Sequence, residues 1–241
     1  AYLDMVDAAA EMAPADRPTL SLKPSSYTIS PLHEGGDAAG SREAMLEIAR
    51  KAAAADVEVS IDMEGRQWTD FTLETLRVMH AEGLRNVGCV LQTRLHRTEQ
   101  DIAELPEGIR VRLVIGIYQE PSQVALTQKA AMKERMLVCA ESLLARGHFV
   151  EFASHDIAYV RRFLEEVVPR AGVGPDRFEI QMLYGVPRDR FLADILRQGV
   201  QARLYVPFAL GWDLAIEYLR RRLDEYPAMM WLVTKNMLWR R

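Results

Sequence analysis

Helical and strand-like apolar patterns alternate along the chain. Leu3, Val6 and Ala10 recur at helical spacing within residues 1–12, which predicts an opening helix. Short apolar runs and longer amphipathic segments then follow in turn. Strands are expected at Thr19–Lys23, Val57–Met63, Val87–Gln92, Arg110–Ile117, Phe149–Ala153, Phe178–Leu183 and Ala202–Val206. Helices are expected at Ser41–Ala54, Asp70–Glu82, Lys129–Arg146, Ile157–Val168 and Arg188–Gln198, with helical sequence again from Asp213 onward. A short helix after the third strand opens on Thr98 and Asp101, which read as a capping pair.

Three helices stop at a glycine (Gly83, Gly147, Gly199), and an apolar strand follows each one closely. Glycine enters the left-handed conformation that ends a helix without a Cβ clash. Repeated strand–helix units force parallel strands, because each helix returns the chain to the same edge of the sheet. The strands read as apolar on both faces, as a sheet buried under helices requires. The expected class is therefore α/β, a (βα)8 barrel forming a single domain over residues 1–241. Seven strands are legible where a closed barrel has eight. The chain opens inside a helix, on Ala1 rather than methionine, so the missing strand is expected upstream. An open doubly wound sheet is disfavoured, since no Gly-rich dinucleotide loop follows the first strand.

Composition narrows the function classes. A formal net charge of -4, with both signs scattered, leaves no basic face for nucleic acid. Cys89 and Cys139 lie within apolar periodic segments and read as reduced core residues of a cytoplasmic protein. Neither a disulfide framework nor a metal site is expected, and no apolar run reaches the length of a membrane span.

Active sites in such barrels form at the carboxyl ends of the strands. The polar residues there are Lys23, Asp62, Gln92, Arg112, Ser154 with His155, Gln181 and Tyr205. A single buried polar group is usually a satisfied structural one. A whole set converging on one barrel mouth is costly unless each member is paired, which points to a binding site.

The segments "LSLKPSS", "SIDMEG", "VGCVLQTRLHRTEQDI", "VRLVIGIYQEP", "FASHD", "FEIQMLYGV", "RLYVPF" and "YLRRRLDE" are similar, in order, to the strand-end motifs of proline dehydrogenases. The resemblance is nearest to the short bacterial monofunctional enzymes. It implies FAD-dependent oxidation of L-proline to Δ1-pyrroline-5-carboxylate, the first step of proline catabolism, by hydride transfer to flavin N5 with electrons passed to a quinone. It implies catalytic roles for Asp62 and Arg112, the latter at the N5 edge. Lys23, Tyr205, Tyr218, Arg221 and Arg222 would bind substrate, the two arginines gripping its carboxylate. Met63, Gln92, Arg112, Val114, Ile115, Gly116, Ile117, Ser154, His155 and Gln181 would line the flavin. A quinone acceptor also leaves room for a peripheral contact with the inner membrane, and an oligomer is compatible with the sequence.

Each residue also has a plainer role available. Lys23 and Asp62 would serve equally as an ion pair plugging the barrel end, and His155 as a cap on the helix after it. Adjacent helical arginines point about 100° apart, so Arg221 and Arg222 are expected to reach inward and Arg220 elsewhere. Where the family commonly has "RLVKGAY", this chain has "RLVIGIY": Ile115 replaces a lysine near the flavin and Ile117 an alanine near the substrate. Alternatives therefore stay open: a related flavin dehydrogenase for another cyclic imino acid or amine, a catalytically silent flavin-binding barrel, or a methylenetetrahydrofolate reductase-like barrel.

Overall fold

Strand registers link every predicted strand to the next one in the chain. In the computed structural model, which describes residues 1–186, 188–207, 211–213, 216 and 220, helix α1 (Tyr2–Ala10) leads into β1 (Leu20–Leu22). There follow α2 (Ala38–Ala54), β2 (Val59–Ile61), α3 (Thr69–Ala81), β3 (Val87–Gln92), α4 (Thr98–Ala103), β4 (Arg110–Val114), α5 (Lys129–Ala145) and β5 (Phe149–Ala153). The described elements end with α6 (Ile157–Arg162), α7 (Val168–Ala171), β6 (Phe178–Leu183), α8 (Asp189–Arg197) and β7 (Ala202–Tyr205). All seven strands form one parallel sheet in the order β1 to β7, each bonded to its sequence neighbour.

Side chains show that the sheet curls on itself. Tyr205 at the end of β7 reaches Asp62 after β2 at 3.3 Å, and Arg203 of β7 reaches the Arg17 carbonyl before β1 at 3.5 Å. Arg112 of β4 bonds Ser21 of β1 across the interior at 3.0 Å. The architecture is the barrel-type α/β fold expected from the sequence.

The sheet has two chemically different faces, which corrects the reading of strands apolar on both sides. Leu20, Leu22, Val59, Ile61, Val111, Leu113, Val150, Phe152, Ile180 and Met182 are buried in the apolar layer under the helices. The alternate positions carry Ser21, Ser60, Gln92, Arg110, Arg112, Glu151, Glu179, Gln181, Arg203 and Tyr205. Successive strand side chains point to opposite faces, so one set packs outward and the other fills the barrel. Phe152 and Phe163 stack at 4.3 Å between ring centroids, with Phe178 edge-on to Phe163 at 5.3 Å.

Several boundaries differ for local reasons. The strand expected over Arg110–Ile117 ends at Val114, because Gly116 turns the chain with φ +98°. The helix expected over Ile157–Val168 widens to a π turn at Phe163–Val167. Pro169 follows, which lacks an N–H and whose ring crowds the carbonyl four residues back. The expected capping pair at α4 does not form. The Thr98 hydroxyl donates to the Gln92 and Leu95 carbonyls, while Arg97 occupies the Asp101 carboxylate at 3.0 Å. Gly83, Gly147 and Gly199 do end their helices at φ +88°, +81° and +80°. No helix among the described residues is long and apolar enough to cross a membrane.

Two outcomes follow from the core. Phe163→Ala removes both ring contacts from a fully buried position and should cost about 3–5 kcal/mol in urea unfolding. Cys89 and Cys139 are free and buried, and burial pushes their thiols up to about 12 and about 11. Neither should react with a thiol reagent near neutral pH until the protein unfolds; rapid labelling of the native protein would contradict that packing.

Candidate active site

At the carboxyl end of the sheet the interior polar residues converge on one guanidinium. Arg112, 6% exposed, donates from Nε to Gln181 Oε1 at 2.7 Å and from Nη1 to Ser21 Oγ at 3.0 Å. The same Nη1 donates to Asp62 Oδ1 at 3.1 Å, and Nε lies 3.5 Å from Glu151 Oε2. Three strands and the β2 loop thus fix one planar cation whose fork admits few orientations.

Asp62 is the second node. Its Oδ2 accepts the Tyr205 hydroxyl at 3.3 Å and faces Lys23 Nζ at 3.4 Å. Its backbone N–H is bonded to the Leu22 carbonyl, so the residue is held at the strand end. The Arg112 guanidinium carbon lies 5.2 Å from the Tyr205 ring centroid. Lys23, Asp62, Arg112, Gln181 and Tyr205, all expected from the sequence, therefore form one cluster.

A deeper ion-pair layer supports it. Glu151 and Glu179 are direct register partners on β5 and β6, and two carboxylates side by side repel. Arg110 lies across both, at 2.9 Å from Glu151 and 3.2 Å from Glu179, and Arg203 reaches Glu179 at 2.9 Å. Burial pushes the Glu179 carboxyl up, but Arg203, Gln181 and Arg110 outweigh it and hold the group below the ordinary glutamate range. These residues were missed in the sequence. Their signal was a polar residue at every second position of a short apolar strand, as in "RVRLV" and "FEIQML".

On the β3–β4 side lies a different surface. Gln92 donates from Nε2 to the Glu64 carbonyl at 2.7 Å, which fixes its amide. Its buried Oε1 has no hydrogen-bond partner among the described residues, and neither has the buried Nε of Arg94, a residue the sequence did not single out. A Cβ on Gly116 would overlap Gln92 Oε1, so only glycine lets the backbone pass there. Thr93 and Arg94 bond the carbonyls of Val114 and Ile115 through their N–H groups, which extends the β3–β4 contact beyond the strands. Glu64, also missed, accepts the Ser25 N–H at 2.9 Å and the Ser25 hydroxyl at 2.6 Å. Met63 beside it is buried.

Ser154 and His155 sit in the β5–α6 loop, where the Ser154 N–H donates to the Gln181 carbonyl at 3.2 Å. His155 Nε2 accepts the Leu183 N–H at 3.2 Å, and the Ser154 hydroxyl accepts the Asp156 N–H at 3.2 Å. The cap on α6 is Asp156, which accepts the Ala158 N–H at 3.1 Å and also pairs with Lys133; His155 is not the cap. Ile117 is half-buried after the Gly116 turn. Tyr218, Arg221 and Arg222 lie outside the described residues, and Arg220 is exposed. Among the described residues no group of His, Cys, Asp or Glu could hold a metal ion.

The proline dehydrogenase family profile matches residues 1–230. The chain belongs to that family. It is 35% identical over 185 residues to proline dehydrogenase of Deinococcus radiodurans, covering 75% of this chain and 57% of that protein. It is 32% identical over 196 residues to proline dehydrogenase 2 of Bacillus subtilis, covering 81% and 63% respectively. The chain thus spans about three-fifths of the length of these relatives. Proline utilization A from Bdellovibrio bacteriovorus, in a structure inactivated by N-propargylglycine, superposes with a TM-score of 0.76 at 21% identity, covering 92% of this chain and 27% of that one. The Bradyrhizobium japonicum protein superposes with a TM-score of 0.75 at 23% identity, covering 93% and 26%. These structures agree in fold.

The β5–α6 loop yields a prediction through Asp156. Burial pushes its carboxyl up, but the bond and charge of Lys133 and the backbone donors at the α6 start outweigh this and leave it below the ordinary aspartate range. A depressed folded value means the contribution is present above the ordinary range and is lost as pH falls through it. Asp156→Ala should therefore lower stability by about 0.5–2 kcal/mol near neutral pH. Urea midpoints of wild type and variant should approach one another on acidification; a gap that stays constant would contradict the assignment.

Proposed function

We propose that this protein oxidises L-proline to Δ1-pyrroline-5-carboxylate with FAD, as the first step of proline catabolism, and passes the electrons to a quinone. The observation that carries this reading is Arg112, a buried cation aimed by four partners into the cluster of Asp62, Lys23 and Tyr205. Family membership supports it independently.

The residues present fit a flavin. The unpartnered acceptor at Gln92 Oε1 and the unpartnered donor at Arg94 Nε suit a ring edge that carries both carbonyl oxygens and an N–H. Gln92, Gly116 and the chain from Val114 to Ile117 would hold that ring, with Met63, Ser154, His155 and Gln181 in the surrounding shell. Arg112 would lie against the edge that gains electron density. When bound, the flavin supplies a two-electron acceptor and removes any need for a metal.

This chain's residues supply the remaining requirements. A secondary amine must be held with its ring carbon in van der Waals contact with the acceptor, within about 3–3.5 Å. Its carboxylate is the handle, and guanidinium forks bind it in one orientation, the role proposed for Arg221 and Arg222. Lys23, paired to Asp62, adds a cation on the same side, and Tyr205 lies beside it; a further wall to the pocket is the role proposed for Tyr218. The fixed positive charge of Arg112 stabilises negative charge as it develops nearby, with no reorganisation at the moment of reaction.

Anaerobic addition of L-proline to the purified, flavin-loaded protein should bleach the visible flavin bands. A flavin-replete preparation that L-proline leaves oxidised would overturn the reading. Arg222→Met should lower kcat/KM for proline by about 2–4 kcal/mol, on the order of 30- to 1000-fold, while the flavin stays bound. Unchanged kcat/KM would place the carboxylate site elsewhere. Ile117→Ala should raise proline turnover if the larger side chain crowds the pocket, since overpacking costs about 1–3 kcal/mol.

A further inference from the structure

Arg112 is held by a side chain that has to be held itself. Gln181 receives the Arg112 Nε–H on Oε1 at 2.7 Å only because its amide is turned that way round. The turn is set by Glu179, whose Oε1 accepts the Gln181 Nε2–H at 2.6 Å. Reversing the amide would place Gln181 Oε1 against the Glu179 carboxylate and its NH2 against the Arg112 N–H, two repulsive contacts in a site that excludes water. Glu179 cannot swing away to relieve them. Arg203 and Arg110 hold it from two other directions, at 2.9 and 3.2 Å. Glu179 and Gln181 are 1% and 3% exposed, so water cannot stand in for either bond.

We propose that Glu179 is a positioning residue that sets the direction of Arg112 through the Gln181 amide. It touches neither Asp62 nor any other residue of the upper cluster except Gln181. Along Arg203–Glu179–Gln181–Arg112–Asp62, Arg203 and Gln181 both donate to Glu179, and Arg112 donates to both Gln181 and Asp62, so the double acceptor at Glu179 fixes the direction of the links above it. This deepens the proline-oxidising reading and rests on it for the turnover measurement alone.

Removing or reversing the acceptor tests this. Glu179 Oε1 accepts from both Gln181 Nε2 and Arg203 Nε. Glu179→Met removes that acceptor at similar volume, and Gln181→Glu sets two carboxylates against each other. Each should lower kcat about 10-fold or more, as loss of an orienting partner does elsewhere, with KM for proline changed by no more than about threefold. Glu179→Gln keeps an oxygen that can accept from both donors, so its kcat should stay within about threefold of wild type. Full kcat in Glu179→Met would overturn the proposal, as would full kcat in Gln181→Met, which keeps the volume without the amide. The second readout is solvent exchange of the Arg112 Nε–H by NMR, in protein without proline. Exchange should be slow in wild type and Glu179→Gln and fast in Glu179→Met and Gln181→Glu. If wild type itself fails to oxidise proline, the functional reading falls and exchange alone decides: slow exchange in Glu179→Met overturns the positioning role.

Discussion

A guanidinium buried inside a barrel is tolerable only if every direction it points is answered. Arg112 is answered by a carboxylate from the β2 loop, a hydroxyl from β1, an amide from β6 and a second carboxylate from β5. Removing one partner of a buried pair typically costs about 3–5 kcal/mol, because the survivor stays buried and uncompensated. The polar interior is therefore constrained as a unit. Glu151 is needed near Arg112, Arg110 is needed to keep Glu151 beside Glu179, and Arg203 completes the environment of Glu179. What looks like an expensive set of buried charges is the framework that leaves one cation rigid at the strand ends.

Division of labour between the two faces of the sheet makes this possible. The outward positions carry the apolar contacts with the helices, and the stacked Phe152 and Phe163 anchor β5 against the π turn. Stability can therefore be altered on the outer face without touching the site. The β3–β4 corner adds a third device. Gly116 lets the backbone close over Gln92, and two buried polar atoms there, Gln92 Oε1 and Arg94 Nε, have no hydrogen-bond partner among the described residues.

Element order and barrel class were legible because they rest on local rules: glycine stops, apolar runs and the forced parallel return. The strands at Val87–Gln92, Phe149–Ala153 and Phe178–Leu183 match their expected bounds for that reason. The cluster of Lys23, Asp62, Arg112, Gln181 and Tyr205 was legible as strand-end polar residues. Glu151, Glu179, Arg110 and Arg203 were not, because short strands with one charge look merely interrupted until the opposite face is known to be interior. The capping pair at Thr98 failed because Arg97, just before the helix, competes for the Asp101 carboxylate. His155 was placed correctly in the loop, yet its bond to the Leu183 N–H depends on a strand that sequence distance hides.

Arg112 sets a fixed positive charge at the strand ends, where the proposed flavin would become electron-rich. The two-electron reduction potential of the bound flavin in wild type and in Arg112→Met measures this directly. Loss of the charge should lower the potential by roughly tens of millivolts, about 30 mV for each 1.4 kcal/mol of lost stabilisation of the reduced ring. An unchanged potential in a folded, flavin-loaded Arg112→Met protein would show that the Arg112 charge does not act on the cofactor.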